Sequence, residues 1–300
     1  PTNYKDEWAY PSLNELIQYR ISVWSDQLPI DPSLVQYGRG AYSGAVPSDL
    51  TRPFTGTIRG TNYELVLVAE DTNEMDPLIP VDQGVTAFKR LIEVHGAQVI
   101  VGGVRTDIVV AQTQLLSQYK IVYLDIESNQ RIVEDKVFSD YENYKYYFHF
   151  FAGGRNSSAG PYIAAIPVAL RNAAKNNPDF PDVNKIALVA ENALWTVGLA
   201  GRPAGNSTFF KRLTTPPEQE GPGFELVFAE LYPTTQSDFS SYLARIKQSG
   251  AGLIILLFSG PPGVAFVKQW ATYDWSPGKK PLIFGPGLLG GFSWFWDHTV

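Results

Sequence analysis

The chain has 300 residues, 44% of them hydrophobic and 18% charged, a balance that supports a sizeable core and excludes a disordered chain. A net charge of −6 with no local Lys/Arg cluster excludes nucleic acid as a partner. Zero cysteines exclude disulfides and thiolate metal sites, His95, His149 and His298 are spaced as structural residues rather than metal ligands, and no apolar run is long enough for a membrane span or signal peptide.

Ser12–Glu15 has the S-x-x-E form of a capping box, and Leu13, Leu16, Ile17, Ile21 and Trp24 share a helical face, so a helix is expected over 12–24. Residues 28–62 are rich in Gly and Pro without periodicity and read as a long surface excursion. Near-continuous apolar runs then predict strands at Tyr63–Ala69, Ala97–Val104, Lys120–Leu124 and Tyr146–Phe151. Helices are expected near Val81–His95 and over 108–119, the latter capped by Thr106 or Asp107. The glycines and serines of 152–158 mark a redirection of the chain, which divides it into a first lobe (1–151) and a second lobe (152–300).

The second half repeats the pattern, with strands at Lys185–Ala190, Phe224–Leu231, Leu253–Phe258 and Pro281–Phe284. Phe239, Tyr242, Leu243 and Ile246 fall at helical spacing after Asp238. Alternating strands and helices imply an α/β protein with one parallel sheet in each lobe, and small molecules bind such folds at the turns after the strands. The chain holds neither a G-x-S-x-G elbow, nor a reactive cysteine, nor a dinucleotide or Walker-type phosphate loop, so neither an enzyme nor a cofactor is expected.

The order of these signals resembles the type 1 extracytoplasmic solute-binding proteins, which include the branched-chain amino-acid receptors of ABC transporters. Five segments carry the resemblance: Tyr63–Asp71 with its acidic end, Gly84–Val104, Lys120–Leu124, Lys185–Ala190, and Tyr232–Lys247 with its Y-x-x-x-x-x-D-F-x-x-x-L-x-x-I-K run. It covers roughly 63–290. The chain departs from the family by entering its first helix without a preceding strand and by stopping at Val300, which implies further residues outside the 300 or a strand supplied by a neighbouring subunit, hence self-association.

The resemblance implies a two-lobed fold closing on a small polar ligand, an amino acid or another carboxylate, for delivery to a membrane transporter permease outside the cytoplasm. Carried over by position, the ligand-facing residues are Arg105, Thr106, Glu127 and Ser128 from the first lobe and Trp195, Ser259, Pro262 and Gly287 from the second. Arg105 reads either as a solvated loop cation or as a carboxylate clamp, and Thr106 as a cap or a contact. Gly287 stands where amino-acid receptors of the family place an acid for the ligand ammonium, so Asp125 or Glu127 would have to supply that charge. Two further readings of the same fold are a structural subunit of a cell surface or filament and a ligand sensor. Sequons at Asn156 and Asn206 fit a glycoprotein, and a composition of 16 Tyr, 17 Phe, 22 Pro and one Met fits a secreted or thermophilic one.

Overall fold

The computed structural model describes residues 54–58, 61–66, 68–74, 76–126, 128, 131–149, 159–175, 177 and 180–285. The predicted helix over 12–24, the turn at 152–158 and its lobe boundary, and the sequon Asn156 lie outside these residues, as do Glu127 and Gly287. The chain divides into two compact units, 1–69 and 70–300.

In the first unit, β1 (Phe54–Ile58) and β2 (Thr61–Leu65) pair antiparallel, from Phe54↔Leu65 to Ile58↔Thr61. This corrects two expectations. The excursion over 28–62 contains a strand, and the run beginning at Tyr63 joins a two-stranded sheet, not the parallel sheet of the first lobe. Phe54-Thr-Gly-Thr-Ile58 alternates apolar and polar residues, the period of a half-covered strand, and that signal is masked when only continuous apolar runs are sought.

The second unit holds both parallel sheets. In the first lobe α1 (Val81–Glu93), β3 (Val99–Gly102), α2 (Thr106–Thr113), α3 (Leu116–Tyr119), β4 (Val122–Asp125), α4 (Arg131–Ser139), α5 (Tyr141–Tyr144) and β5 (Tyr147–His149) follow in order, with β3-β4-β5 parallel. Phe88, Ile100, Val109, Leu116, Tyr123, Val133 and Tyr147 fill one core. Val99, Val101 and Phe148, on the opposite face of the sheet, are 50%, 64% and 50% exposed. The expectation of strands covered on both faces is therefore met in this lobe on one face only among the described residues.

In the second lobe the two central strands meet it. Beyond α6 (Ala159–Lys175), the sheet has the order β7-β6-β8-β9, with β6 (Lys185–Glu191) and β8 (Leu253–Leu257) flanked by β7 (Glu225–Tyr232) and β9 (Leu282–Phe284). Alternation along β6 sends Ile186, Leu188 and Ala190 into a core with Phe210 and Leu213, and Ala187 and Val189 into a second with Phe239, Leu243, Ile246 and Phe266. Helices α7 (Leu194–Ala200) and α8 (Thr208–Thr214) cover the first face; α9 (Ser240–Ser249) and α10 (Pro261–Thr272) cover the second. The single helix expected over 108–119 is broken into α2 and α3, and its first residue follows Arg105, not a side-chain cap.

Gly252 leads into β8 against the turn before β6, where an added Cβ would lie 1.9 Å from the Asp182 carbonyl oxygen. Backbone cannot give way as a side-chain tip can. Gly252→Ala is expected to destabilise the chain by roughly 1–3 kcal/mol, read as a lower urea midpoint at unchanged slope.

Candidate functional site

Glu191 is the last residue of β6 and is fully buried. The turn after it is pinned: the Thr196 hydroxyl donates to the Glu191 carbonyl oxygen at 2.7 Å and lies 2.8 Å from that of Ala193, and the Asn192 N–H donates to the Tyr232 carbonyl at 2.8 Å. The carboxylate is thereby held inside the molecule. Its Oε1 accepts from Arg105 Nη1 at 3.2 Å, from the Trp195 indole N–H and from the Ser259 hydroxyl. Its Oε2 is buried and has no hydrogen-bond partner among the described residues.

Arg105 reaches this carboxylate from the first lobe, just past β3 at the start of α2. Both side chains of the pair are 1% exposed. Glu74 fixes the arginine from behind: its Oε2 accepts the Val104 N–H at 2.8 Å and the Arg105 N–H at 2.5 Å, and its carbonyl accepts Arg105 Nε–H at 2.9 Å. On the other side, a Cβ at Gly260 would lie 2.8 Å from Arg105 Nη2, so the guanidinium rests against bare backbone. A second cross-lobe bond runs from the Leu194 N–H to Asp107 Oδ2 at 3.2 Å. Asp107, expected to cap a helix, thus binds the opposite lobe.

The residues expected to face a ligand fall into three places. Arg105, Trp195 and Ser259 meet at Glu191, with Thr106 buried beside them at the start of α2. Pro262 lines a pocket of about 410 Å³ with Asp76, Leu78, Gln236, Pro261 and Ala265. Ser128 is fully buried in the first lobe, where its N–H donates to Asp125 Oδ1 at 3.1 Å and its hydroxyl to Oδ2. Tyr147 donates to the same Asp125 oxygen at 2.5 Å, and His149 lies between Glu134 Oε1 at 2.8 Å and the Ser128 carbonyl at 2.7 Å. Asp125, considered as a partner for a ligand ammonium, is occupied by these donors. Asn206 is exposed next to Ser207, the cap of α8. Among the described residues no group of His, Cys, Asp and Glu is placed to hold a metal ion.

Neither Glu74 nor Glu191 stands among the residues expected to contact a ligand, although the turn 191–195 is expected to line the cleft. Each is an acid at the end of an apolar run or in a polar turn, the pattern of a surface residue. The available signal was relational: Glu191 and Trp195 stand four apart around a helix start, where an indole N–H can turn back to a carboxylate.

The family profile described as periplasmic binding protein matches residues 219–291. Among solved structures, a putative branched-chain amino acid ABC transporter from Silicibacter pomeroyi shares 17% identity over 78% of this chain and 52% of that one, with a TM-score of 0.51. The fold is that of the periplasmic binding proteins. A solute binding protein of an ABC transporter from Rhodopseudomonas palustris HaA2, in complex with p-hydroxybenzoic acid, is also similar, at 22% identity over 73% of this chain and 50% of that one, with a TM-score of 0.49. A leucine binding protein from Thermotoga maritima is 15% identical over 70% and 50%, also at 0.49. No curated protein matches the chain in sequence. The resemblance read from the five segments is borne out, and the chain spans about half the length of the solved structures it matches. In this periplasmic-binding-protein fold the Arg105–Glu191 pair lies where the strand ends of the two lobes meet.

Removing one member of a buried ion pair strands the other. Arg105→Met is expected to cost about 3–5 kcal/mol, and Arg105→Met/Glu191→Met distinctly less, because the double variant leaves no charge unpaired. Denaturant unfolding of the three chains checks the order.

Three buried tyrosines set a second expectation. Burial first, and the nearby Asp125 second, push the hydroxyls of Tyr123 and Tyr147 above their ordinary range; burial and then Glu191 do the same to Tyr232. Unfolded tyrosine ionises near about pH 10. The unfolded chain therefore loses protons above that pH while the native one keeps them, so the stabilisation is complete below about pH 10 and is lost as pH rises further. Tyrosinate absorbance from these three side chains is expected only together with unfolding.

Proposed function

We propose that the chain is the ligand-capturing part of an extracytoplasmic solute-binding protein, which closes two α/β lobes on a small polar molecule and presents it to the permease of an ABC-type transporter. The observation that carries this reading is the convergence of Arg105 from one lobe with Glu191, Trp195 and Ser259 from the other, at strand ends or in the turns and helix starts that follow them. Open α/β sheets bind ligands at such strand ends. The fold shared with the Silicibacter pomeroyi protein and the profile match over 219–291 point the same way. It is a binding protein in this reading, not an enzyme: the converging groups, the Ser259 hydroxyl on Glu191 included, are committed to one another. No described helix is long and apolar enough to cross a membrane, consistent with a domain that works outside the bilayer.

A second reading has its own support. The lobes are joined by the chain's own buried ion pair, which suits a structural surface subunit that keeps the fold without using it for capture.

A thermal-shift panel of amino acids, amines, carboxylates and sugars separates the two. A ligand bound only by the native state stabilises it by RT ln(1 + [L]/Kd), so a true ligand raises the melting temperature in a concentration-dependent way. A panel without any such solute, together with ordered polymers in its absence, supports the structural subunit.

A further inference from the structure

We propose that the ligand is read through Glu191, not through Arg105, and that the site selects a protonated amine bearing N–H donors. The inference rests on the solute-binding reading and names the chemistry of its ligand.

Two of the nitrogens of the Arg105 guanidinium are bonded within the chain. Its Nε is bonded to the Glu74 carbonyl, its Nη1 to Glu191, and its Nη2 side is packed on Gly260. A ligand carboxylate that took the place of Glu191 on Nη1 would leave that acid buried without its cation. The charges at the seam point in the opposite direction. Glu74 and Glu191 are both buried acids, and Arg105 is the buried base between them. The two oxygens of Glu191 are also unequal: Oε1 accepts from Arg105, Trp195 and Ser259, whereas Oε2 has no partner among the described residues. A buried carboxylate oxygen without a donor is costly, and a charged donor satisfies it best. A compact ammonium supplies both the hydrogen bond and the missing positive charge. It reaches the oxygen when the seam between the lobes opens, and closure then holds it at Glu191 beside Trp195.

The Trp195 indole N–H, bonded to the same carboxylate, is a local reporter. The full chain is labelled at tryptophan nitrogen, the Trp195 resonance is assigned with Trp195→Phe, and methylammonium, tetramethylammonium and acetate are titrated at constant ionic strength. Methylammonium is expected to move that resonance saturably and to raise the melting temperature. Tetramethylammonium has the charge without the donors, and acetate has the opposite charge; both are expected to leave the resonance in place. Glu191→Gln, which puts an amide donor on this carboxyl, is expected to abolish the response to methylammonium. The comparison of the three ions on the unaltered chain stands even if that variant does not fold. A response to acetate, an equal response to tetramethylammonium, silence toward all three, or a response that survives Glu191→Gln overturns the proposal. A panel that identifies a solute with a carboxylate and no amine would overturn it while leaving the solute-binding reading intact; a panel with no solute at all removes both.

Discussion

The whole arrangement depends on the burial of one ion pair, Arg105 with Glu191. Taking two charges out of water costs several kcal/mol each before their attraction is counted, so such a pair survives only if nearly every remaining donor and acceptor is met. The surrounding sequence meets that demand piece by piece. Glu74 accepts two backbone N–H groups and offers its carbonyl to the guanidinium; Trp195 and Ser259 share the Glu191 oxygen; Gly260 removes the side chain that would push the guanidinium away. A lysine could not replace this arginine. Its single ammonium would have to serve a carbonyl and a carboxylate lying in different directions, which the guanidinium fork does at fixed geometry.

The two lobes contribute to this seam unequally. In the second lobe both faces of β6 and β8 are covered, Glu191 ends the first of these strands and Ser259 lies just past the second, so their positions are set by packing that does not readily give. Among the described residues of the first lobe a core lies on one face of a three-stranded sheet, and Arg105 is placed by a short helix start and by Glu74. Local opening takes place where apolar contacts are fewest.

What the sequence made legible follows the same division. The strands of the second lobe were placed within a residue or two because Ile186–Ala190 and Leu253–Leu257 are apolar on both alternations, a pattern that only a doubly covered strand requires. The hairpin of 54–65 was missed because its signal is alternation, and the apolar run after Tyr63 drew the strand too far along the chain. Arg105, Trp195 and Ser259 were found by position, yet the acid they share was not, since nothing local distinguishes a buried Glu191 from a surface one. Its burial is decided by an arginine 86 residues away. Ser128 illustrates the converse: a polar turn residue that could face a ligand is drawn inward because Asp125 at the end of β4 needs its donors.

The paired acid also changes what a ligand would have to do. While an arginine stands alone in a cleft, carboxylate recognition follows from its charge; once the chain supplies the carboxylate itself, that recognition is already used to hold the lobes together. A ligand shifts a conformational equilibrium only by its difference in affinity between the states. One that merely replaced Glu191 on Arg105 would exchange one charge pair for another and strand the acid, gaining little from closure. One that adds a donor to the unpaired oxygen of Glu191 keeps the internal pair and satisfies an acceptor that closure otherwise buries without a partner, so its binding and the closing of the lobes favour each other.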